Sequence, residues 1–250
     1  MNEYLKTLDR IEFAVTLACT GRCIHCSEGD HANRPEHIDT DTAVRAVREI
    51  CGHYRIRSLM TFGGEPLLYP DTVCAIHRAG SDLGIPVRQL ITNGFFSKDR
   101  GRIGETVRNL ADSGVNDLLL SVDAFHQETI PLEPVLYFAE CALKAGIPSR
   151  LSPAWLVGTE DNNPYNNRTR EILRAFEPLG IPVGSGNVVF PSGNALKYLR
   201  EYFDEAAAES SPYDDDPEDI RTVSFSPDGN VLDGNVYRTD ILEILRAYRP

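Results

Sequence analysis

Three of the six cysteines in this 250-residue chain, Cys19, Cys23 and Cys26, fall within eight residues in the spacing C-x3-C-x2-C. Thiolates ligate metals, and three so close along the chain suit one metal ion or one iron–sulfur cluster. Zinc would need a fourth ligand, which His25 or His31 could supply. Three cysteines without a fourth suit a cubane [4Fe–4S] cluster that leaves one iron open. Cys51, Cys74 and Cys141 stand singly in helix-like segments and read as small buried apolar residues. So few cysteines make no disulfide scaffold, and the group of three belongs to a reducing compartment.

The cysteines must be held by the elements around them. Residues 11–17 (IEFAVTL) form a β-branched, apolar run that predicts a buried strand ending just before Cys19. A long polar loop to about residue 37 follows, then a helix to about residue 54, capped by Asp39 or Thr40. The pattern repeats. Strand 58–62 ends in Gly63-Gly64-Glu65-Pro66 and precedes a helix over 71–83; strand 87–92 ends in Asn93-Gly94 and precedes a helix over 99–113. Strand 117–122 ends at Asp123 before a helix over 133–145. Strand 149–157 leads through a polar loop, 158–167, into a helix to 179, and strand 183–190 completes six units by residue 200. Gly84, Gly114, Gly146 and Gly180 punctuate the helix ends. Such alternation predicts an α/β fold with a parallel sheet, either open and doubly wound or a partial barrel. In both, ligands bind at the C-terminal ends of the strands, where the unusual residues of this chain all fall.

Gly63 and Gly64 permit close backbone approach to a ligand, and the adjacent Glu65 carboxylate could receive an ammonium group. Together with the cysteines, this stretch resembles the radical SAM superfamily. The match lies in C-x3-C-x2-C after the first strand, GGEP after the second, and the TNG (Thr92, Asn93, Gly94) and SVD (Ser121, Val122, Asp123) strand ends. It spans roughly residues 10–190. It implies a partial (β/α)6 TIM-like barrel whose cluster binds S-adenosylmethionine (SAM). Reductive cleavage would then give methionine and a 5′-deoxyadenosyl radical that abstracts a hydrogen atom from a substrate.

Site roles follow from the resemblance by position. Cys19, Cys23 and Cys26 would bind iron, and Gly63, Gly64 and Glu65 would meet the SAM amino group. Ser121 and Asp123 would lie near its carboxylate or ribose, Thr92 and Asn93 near the nucleoside, and His25 where relatives often place an aromatic near adenine. Many relatives carry an arginine soon after SxD. Here the next one is Arg150, on the following strand, and it is assigned to the SAM carboxylate. Glu28, Asp30, His31, Trp155 and loop 158–167 are further candidates to face the substrate, with His126 the foremost for substrate contact or proton transfer.

The tail differs in character. Between residues 204 and 219 there are eight acidic residues and no basic one, which reads as a solvated linker. Residues 222–236 predict a β-hairpin turning at Pro227-Asp228-Gly229-Asn230, followed by a short helix to about 248. The chain thus divides into a barrel over 1–200 and an appendage over 201–250. Residues 225–231 (FSPDGNV) resemble the opening of the SPASM-type extension of peptide-modifying relatives, in which nearby cysteines bind auxiliary clusters. No cysteine follows Cys141, and Gly234 stands where the first would be expected, so a single cluster is expected.

The net charge of −12 disfavours nucleic acid and anionic membranes as partners. With no apolar run of spanning length and no signal peptide, the chain is expected in the cytoplasm. The resemblance implies a one-electron donor such as flavodoxin or ferredoxin. The SPASM-like tail favours a peptide substrate, undergoing cross-linking, epimerisation or oxidation, although about ten residues before the first strand leave no room for a leader-binding domain. A small-molecule dehydrogenase, mutase or lyase is the alternative. A non-enzymatic zinc or iron–sulfur module would explain the cysteines but not GGEP at a strand end.

Overall fold

The computed structural model describes residues 2–29, 36–203 and 215–250. Three βα steps lead into a fourth strand: β1 (Arg10–Thr16), α1 (Thr40–Cys51), β2 (Ser58–Gly63), α2 (Pro70–Asp82), β3 (Val87–Thr92), α3 (Arg100–Asp112) and β4 (Asp117–Leu120). A short helix α4 (Ala124–Gln127), which the sequence pattern did not suggest, precedes α5 (Leu132–Lys144) and β5 (Ser149–Leu151). Beyond these come β6 (Ala154–Trp155), α6 (Pro164–Arg174), β7 (Asn187–Val188) and α7 (Gly193–Tyr198). The tail holds β8 (Thr222–Phe225), β9 (Asn230–Val231), β10 (Gly234–Asn235) and α8 (Ile241–Ala247).

Local chemistry sets the helix ends. Asp39 and Asp99 cap α1 and α3 by accepting from the backbone N–H groups of Thr42 and Arg102, at 2.8 and 3.1 Å. Gly84, Gly114, Gly146 and Gly180 all have positive φ, between 65° and 86°, as helix-ending glycines should.

Six strands form one parallel sheet in the order β5-β4-β3-β2-β1-β8. Alternation along β1 buries Ile11, Phe13 and Val15 in the main core, which also takes in residues of α1, α2, α3 and α5. Arg10 and Glu12 point to the other face. There, a row of polar groups crosses the sheet: Ser224 donates to Glu12, Glu12 pairs with Arg10, Arg10 reaches Gln89, and Gln89 donates to Asp117.

Three expectations are corrected. The sixth strand of the sheet is not 183–190 but Thr222–Phe225 from the tail, paired with β1. Of 183–190, only Asn187–Val188 is strand, and it pairs with β6 in a separate two-stranded sheet, while Val183 makes an isolated bridge to Leu151. The predicted strand 149–157 is split between β5 and β6 at Ser152-Pro153, where proline cannot donate to a ladder. The tail hairpin is therefore smaller than predicted, β9 against β10, and its leading strand belongs to the main sheet.

Aromatic packing explains the capture of that strand. Phe225 stacks on Phe13 of β1 with ring centroids 4.7 Å apart, and Val223, Phe225, Ile241, Ile244 and Leu245 share the main core. The Asn2 side-chain amide donates to the carbonyls of Leu245 and Tyr248, tying the two ends of the chain together. Residues 220–248 thus contribute side chains to the core of the sheet.

Candidate functional site

The cysteine loop leaves β1 at the C-terminal edge of the sheet. Cys23 is buried, Cys19 and Cys26 are half-buried, and all three are free thiols. The backbone N–H of Gly21 points at Cys19 Sγ, 3.3 Å away, and a Cβ on Gly21 would stand 3.2 Å from Cys23 Sγ. Two of the sulfurs thus bracket a single glycine. Burial, then the charge of Glu65, pushes the Cys19 thiol up to about 12. Cys23 is also raised, by burial and then by the charges of Asp123, Cys19 and Cys26, and burial raises Cys26.

GGEP holds this loop to the sheet. The N–H groups of Gly64 and Glu65 donate to the carbonyls of Thr16 and Ala18, at 2.7 and 2.8 Å. Neither glycine leaves room for a side chain: a Cβ on Gly63 would overlap Thr16 O, and one on Gly64 would overlap Ala18 O. The glycines therefore permit close approach between two backbone segments. Glu65 is fully buried, and its oxygens accept from Leu67 N, Thr92 Oγ1 and Asn93 N at 2.7–2.9 Å. The carboxylate expected to receive an ammonium group is thus occupied in bracing β2 to β3. Burial pushes it up to about 7 despite those three donors.

Thr92 and Asn93 follow the same logic. Thr92 spends its hydroxyl on Glu65 and on the Gly94 N–H. Asn93 turns its amide toward the cysteine loop, 3.2 Å from Thr20 Oγ1 and 3.6 Å from Cys19 Sγ. The resemblance placed both near a nucleoside; here they support the first cysteine and the carboxylate behind it.

Asp123 caps α4 and organises a second cluster of groups. Its Oδ1 accepts from His126 N at 2.9 Å, while Oδ2 takes His126 Nδ1 at 2.8 Å and Ala154 N at 2.9 Å. Burial alone would raise this carboxyl, but His126 outweighs it and holds Asp123 well below the ordinary carboxylate range. His126 is raised in turn: burial opposes its charge, and the Asp123 carboxylate prevails. The His25 ring lies 4.7 Å from that of Phe125 and 4.9 Å from that of His126. Its Nδ1 is buried without a hydrogen-bond partner. Ligand atoms of His25, Asp123 and His126 all lie within 4.8 Å of one another.

Other candidates fall elsewhere. Ser121, half-buried at the end of β4, donates its N–H to Thr92 O and stays beside the site. Arg150 does not reach it. As the second residue of β5, Arg150 grips both oxygens of Asp117, the first residue of β4, at 2.8 and 3.0 Å, toward the opposite end of the strands. Trp155 is a packing residue, buried with its indole N–H on Ser185 O. Glu28 is exposed, and Asp30 and His31 lie outside the described residues.

Two asparagines hold loops in place, Asn194 outside every motif and Asn166 within the candidate loop 158–167. Asn194 donates its backbone N–H to Cys26 O at 2.8 Å and its amide to the carbonyls of Cys23 and Gly29, at 3.2 and 3.3 Å. Asn166 gathers loop 156–161, bonding the carbonyls of Leu156, Gly158 and Asp161 and the Leu156 N–H. An isolated asparagine such as Asn194, far from any motif, has no sequence signature.

The family profile of the Radical SAM superfamily matches residues 13–161. The chain belongs to the radical SAM superfamily. The GTP 3′,8-cyclase of Chlorobaculum tepidum is 27% identical over 123 residues, 49% of this chain and 35% of that protein. The probable GTP 3′,8-cyclase of Archaeoglobus fulgidus is 28% identical over 202 residues, 72% of this chain and 64% of that one. Both matches cover less than two thirds of the relative's length. A structure of anSMEcpe with bound AdoMet and a peptide shares the fold, with a TM-score of 0.61 at 13% identity over 96% of this chain and 80% of that one.

Radical SAM enzymes bind a [4Fe–4S] cluster and SAM, and the donor set here fits. Three thiols come from one loop, near enough for their charges to act on one another, and burial raises each, an obstacle that iron ligation removes because a ligated thiol is deprotonated outright. Asn93 and Gly21 aim N–H groups at Cys19 Sγ, the donors that charged cluster sulfur requires. Among the described residues, no helix is long and apolar enough to cross a membrane.

Proposed function

We propose that this chain reductively cleaves SAM at a cluster on Cys19, Cys23 and Cys26 and directs the radical to a polar substrate. The observation that carries this reading is the meeting of the cysteine loop, the GGEP brace and the Asp123–His126 pair at the C-terminal ends of β1, β2 and β4. Cys19, Cys23 and Cys26 would hold the cluster, which, given one electron, would supply reductive cleavage of bound SAM and the radical that takes a hydrogen atom from the substrate.

The chain's own groups have distinct tasks in this reading. The backbone at Gly63 and Gly64 meets the SAM amino group, with Glu65, held by Leu67, Thr92 and Asn93, beside it. Ser121 lies toward the SAM carboxylate or ribose, and His25, against Phe125, lines the adenine side. His126, oriented through Nδ1 by Asp123, keeps Nε2 for contact with the substrate or for proton transfer.

For the substrate, a small polar molecule is favoured by the relatives' names. Both relatives described above are named for action on GTP. A peptide is the second reading, favoured by the SPASM-like FSPDGNV stretch leading from β8.

Anaerobic reconstitution tests the chemistry: about four irons and four sulfides per chain are expected, with reductant-dependent release of 5′-deoxyadenosine. One bound zinc and no cleavage would sink the reading. Cys19→Ala, Cys23→Ala and Cys26→Ala should each abolish cleavage, whereas Cys51→Ala, Cys74→Ala and Cys141→Ala should not. Deuterium transfer into 5′-deoxyadenosine, from labelled nucleotides or labelled peptides, separates the two substrate classes.

A further inference from the structure

Among the described residues, three side-chain polar atoms are buried without a hydrogen-bond partner: His25 Nδ1, His77 Nδ1 and Gln127 Nε2. His77 lies on α2, with its other ring nitrogen 2.8 Å from Thr61 Oγ1. The other two belong to the site: His25 precedes Cys26, and Gln127 ends α4, next to His126. A buried polar group left without a partner is costly, so two such atoms at one site mark where a bound molecule completes the bonding.

Gln127 has a fixed orientation. Its Oε1 accepts from Asp123 N at 2.9 Å, and of the two amide atoms only the oxygen can face a backbone N–H. Nε2, with its two N–H groups, therefore turns away from Asp123 N. Backbone donors of α4 are already engaged: Ala124 N donates to Thr169 Oγ1 at 3.0 Å, and His126 N to Asp123 Oδ1 at 2.9 Å. Phe125 stacks on Tyr165 with ring centroids 4.8 Å apart, which holds α4 in place. The Gln127 amide is a spare donor on a fixed support.

The arginines indicate which acceptor it takes. The next three after Asp123 in sequence are engaged elsewhere: Arg150 on Asp117, Arg168 on Glu171, and Arg170 on the carbonyls of Thr159 and Asp161. The SAM carboxylate thus lacks the guanidinium that the resemblance assigned to it. Ser121, placed toward that carboxylate or the ribose, stands two residues before Asp123, roughly 7 Å along an extended chain. We propose that Gln127 Nε2 donates to the SAM carboxylate, a neutral amide in the place of an arginine. A carboxylate acceptor makes this a charge-assisted bond. The proposal rests on the radical SAM reading, and its test separates the two.

The test measures equilibrium binding of SAM, and of decarboxylated SAM, to the reconstituted full chain, with no turnover involved. Gln127→Met keeps the length of the side chain and removes the donor. It should weaken SAM binding about tenfold or more and leave decarboxylated SAM within about twofold of wild type. Gln127→Asn, whose amide is one methylene short, covers the case in which methionine impairs folding, and it too should weaken SAM alone. Equal weakening of both ligands would overturn the proposal, because Gln127 would then only be holding α4. Undiminished SAM binding by both variants would overturn it as well. Failure of the wild-type chain to bind SAM would instead refute the radical SAM reading.

Discussion

Asn194, 168 residues after Cys26 in sequence, bonds the Cys26 carbonyl through its backbone N–H at 2.8 Å and the Cys23 carbonyl through its amide at 3.2 Å. The last part of the barrel thereby fixes two of the three thiol-bearing residues. Asn194→Ala leaves the Cys23 and Gly29 carbonyls without this donor, a loss of about 1–3 kcal/mol. Urea unfolding should register that loss, and a chelator should strip iron from the variant several-fold faster than from wild type. Unchanged iron retention would show that α7 is not needed to hold the loop.

Gly64→Ala tests the brace between β2 and the cysteine loop. The added Cβ would overlap Ala18 O and stand 2.7 Å from Leu17 O, both backbone atoms that cannot move aside singly. A destabilisation of at least about 3 kcal/mol is expected, together with poor iron incorporation. Normal stability would mean that the backbone segments are not in contact.

The Asp123–His126 pair has a pH signature. Asp123 is held below its ordinary 3.8, so its contribution is present above that pH and is lost as pH falls through the folded value. His126 is raised above 6.5, so its contribution is full below 6.5 and is lost as pH rises through the folded value. His126→Asn should therefore cost most, about 3 kcal/mol, between roughly pH 4 and 6.5, and progressively less at higher pH. Denaturant titrations of both proteins across pH check this. A cost independent of pH would show that the pair is not ionic.

Val157 is a β-branched residue at φ 68°, half exposed, in the loop that Asn166 gathers. Such a backbone favours asparagine over valine, so Val157→Asn should raise stability by about 1 kcal/mol. A lower melting temperature would overturn that. If cleavage of SAM survives while substrate turnover falls, the exposed valine contacts substrate.

Much of the site was legible because its chemistry is local in sequence. Cys19, Cys23 and Cys26, GGEP, TNG and SVD each sit at the end of a strand, and βα alternation alone puts those ends on one side. What those residues touch was less legible. Glu65 looked like an open carboxylate, and the structure shows it also accepting from Leu67, Thr92 and Asn93, because the turn that carries GGEP folds it onto β3. Arg150 looked available to SAM, but its position on β5 aims it at Asp117.

By itself the sequence determined the parallel α/β order, the thiol triad and the superfamily, since strand-length apolar runs and short motifs depend only on near neighbours. Tertiary structure decided the rest. It placed β8 beside β1, where Phe225 finds Phe13 across more than two hundred residues. It joined Asn194 to the cysteine loop. Pairing between distant segments is chosen by side-chain packing and by the bonding of buried carbonyls, and neither leaves a periodic trace along the chain.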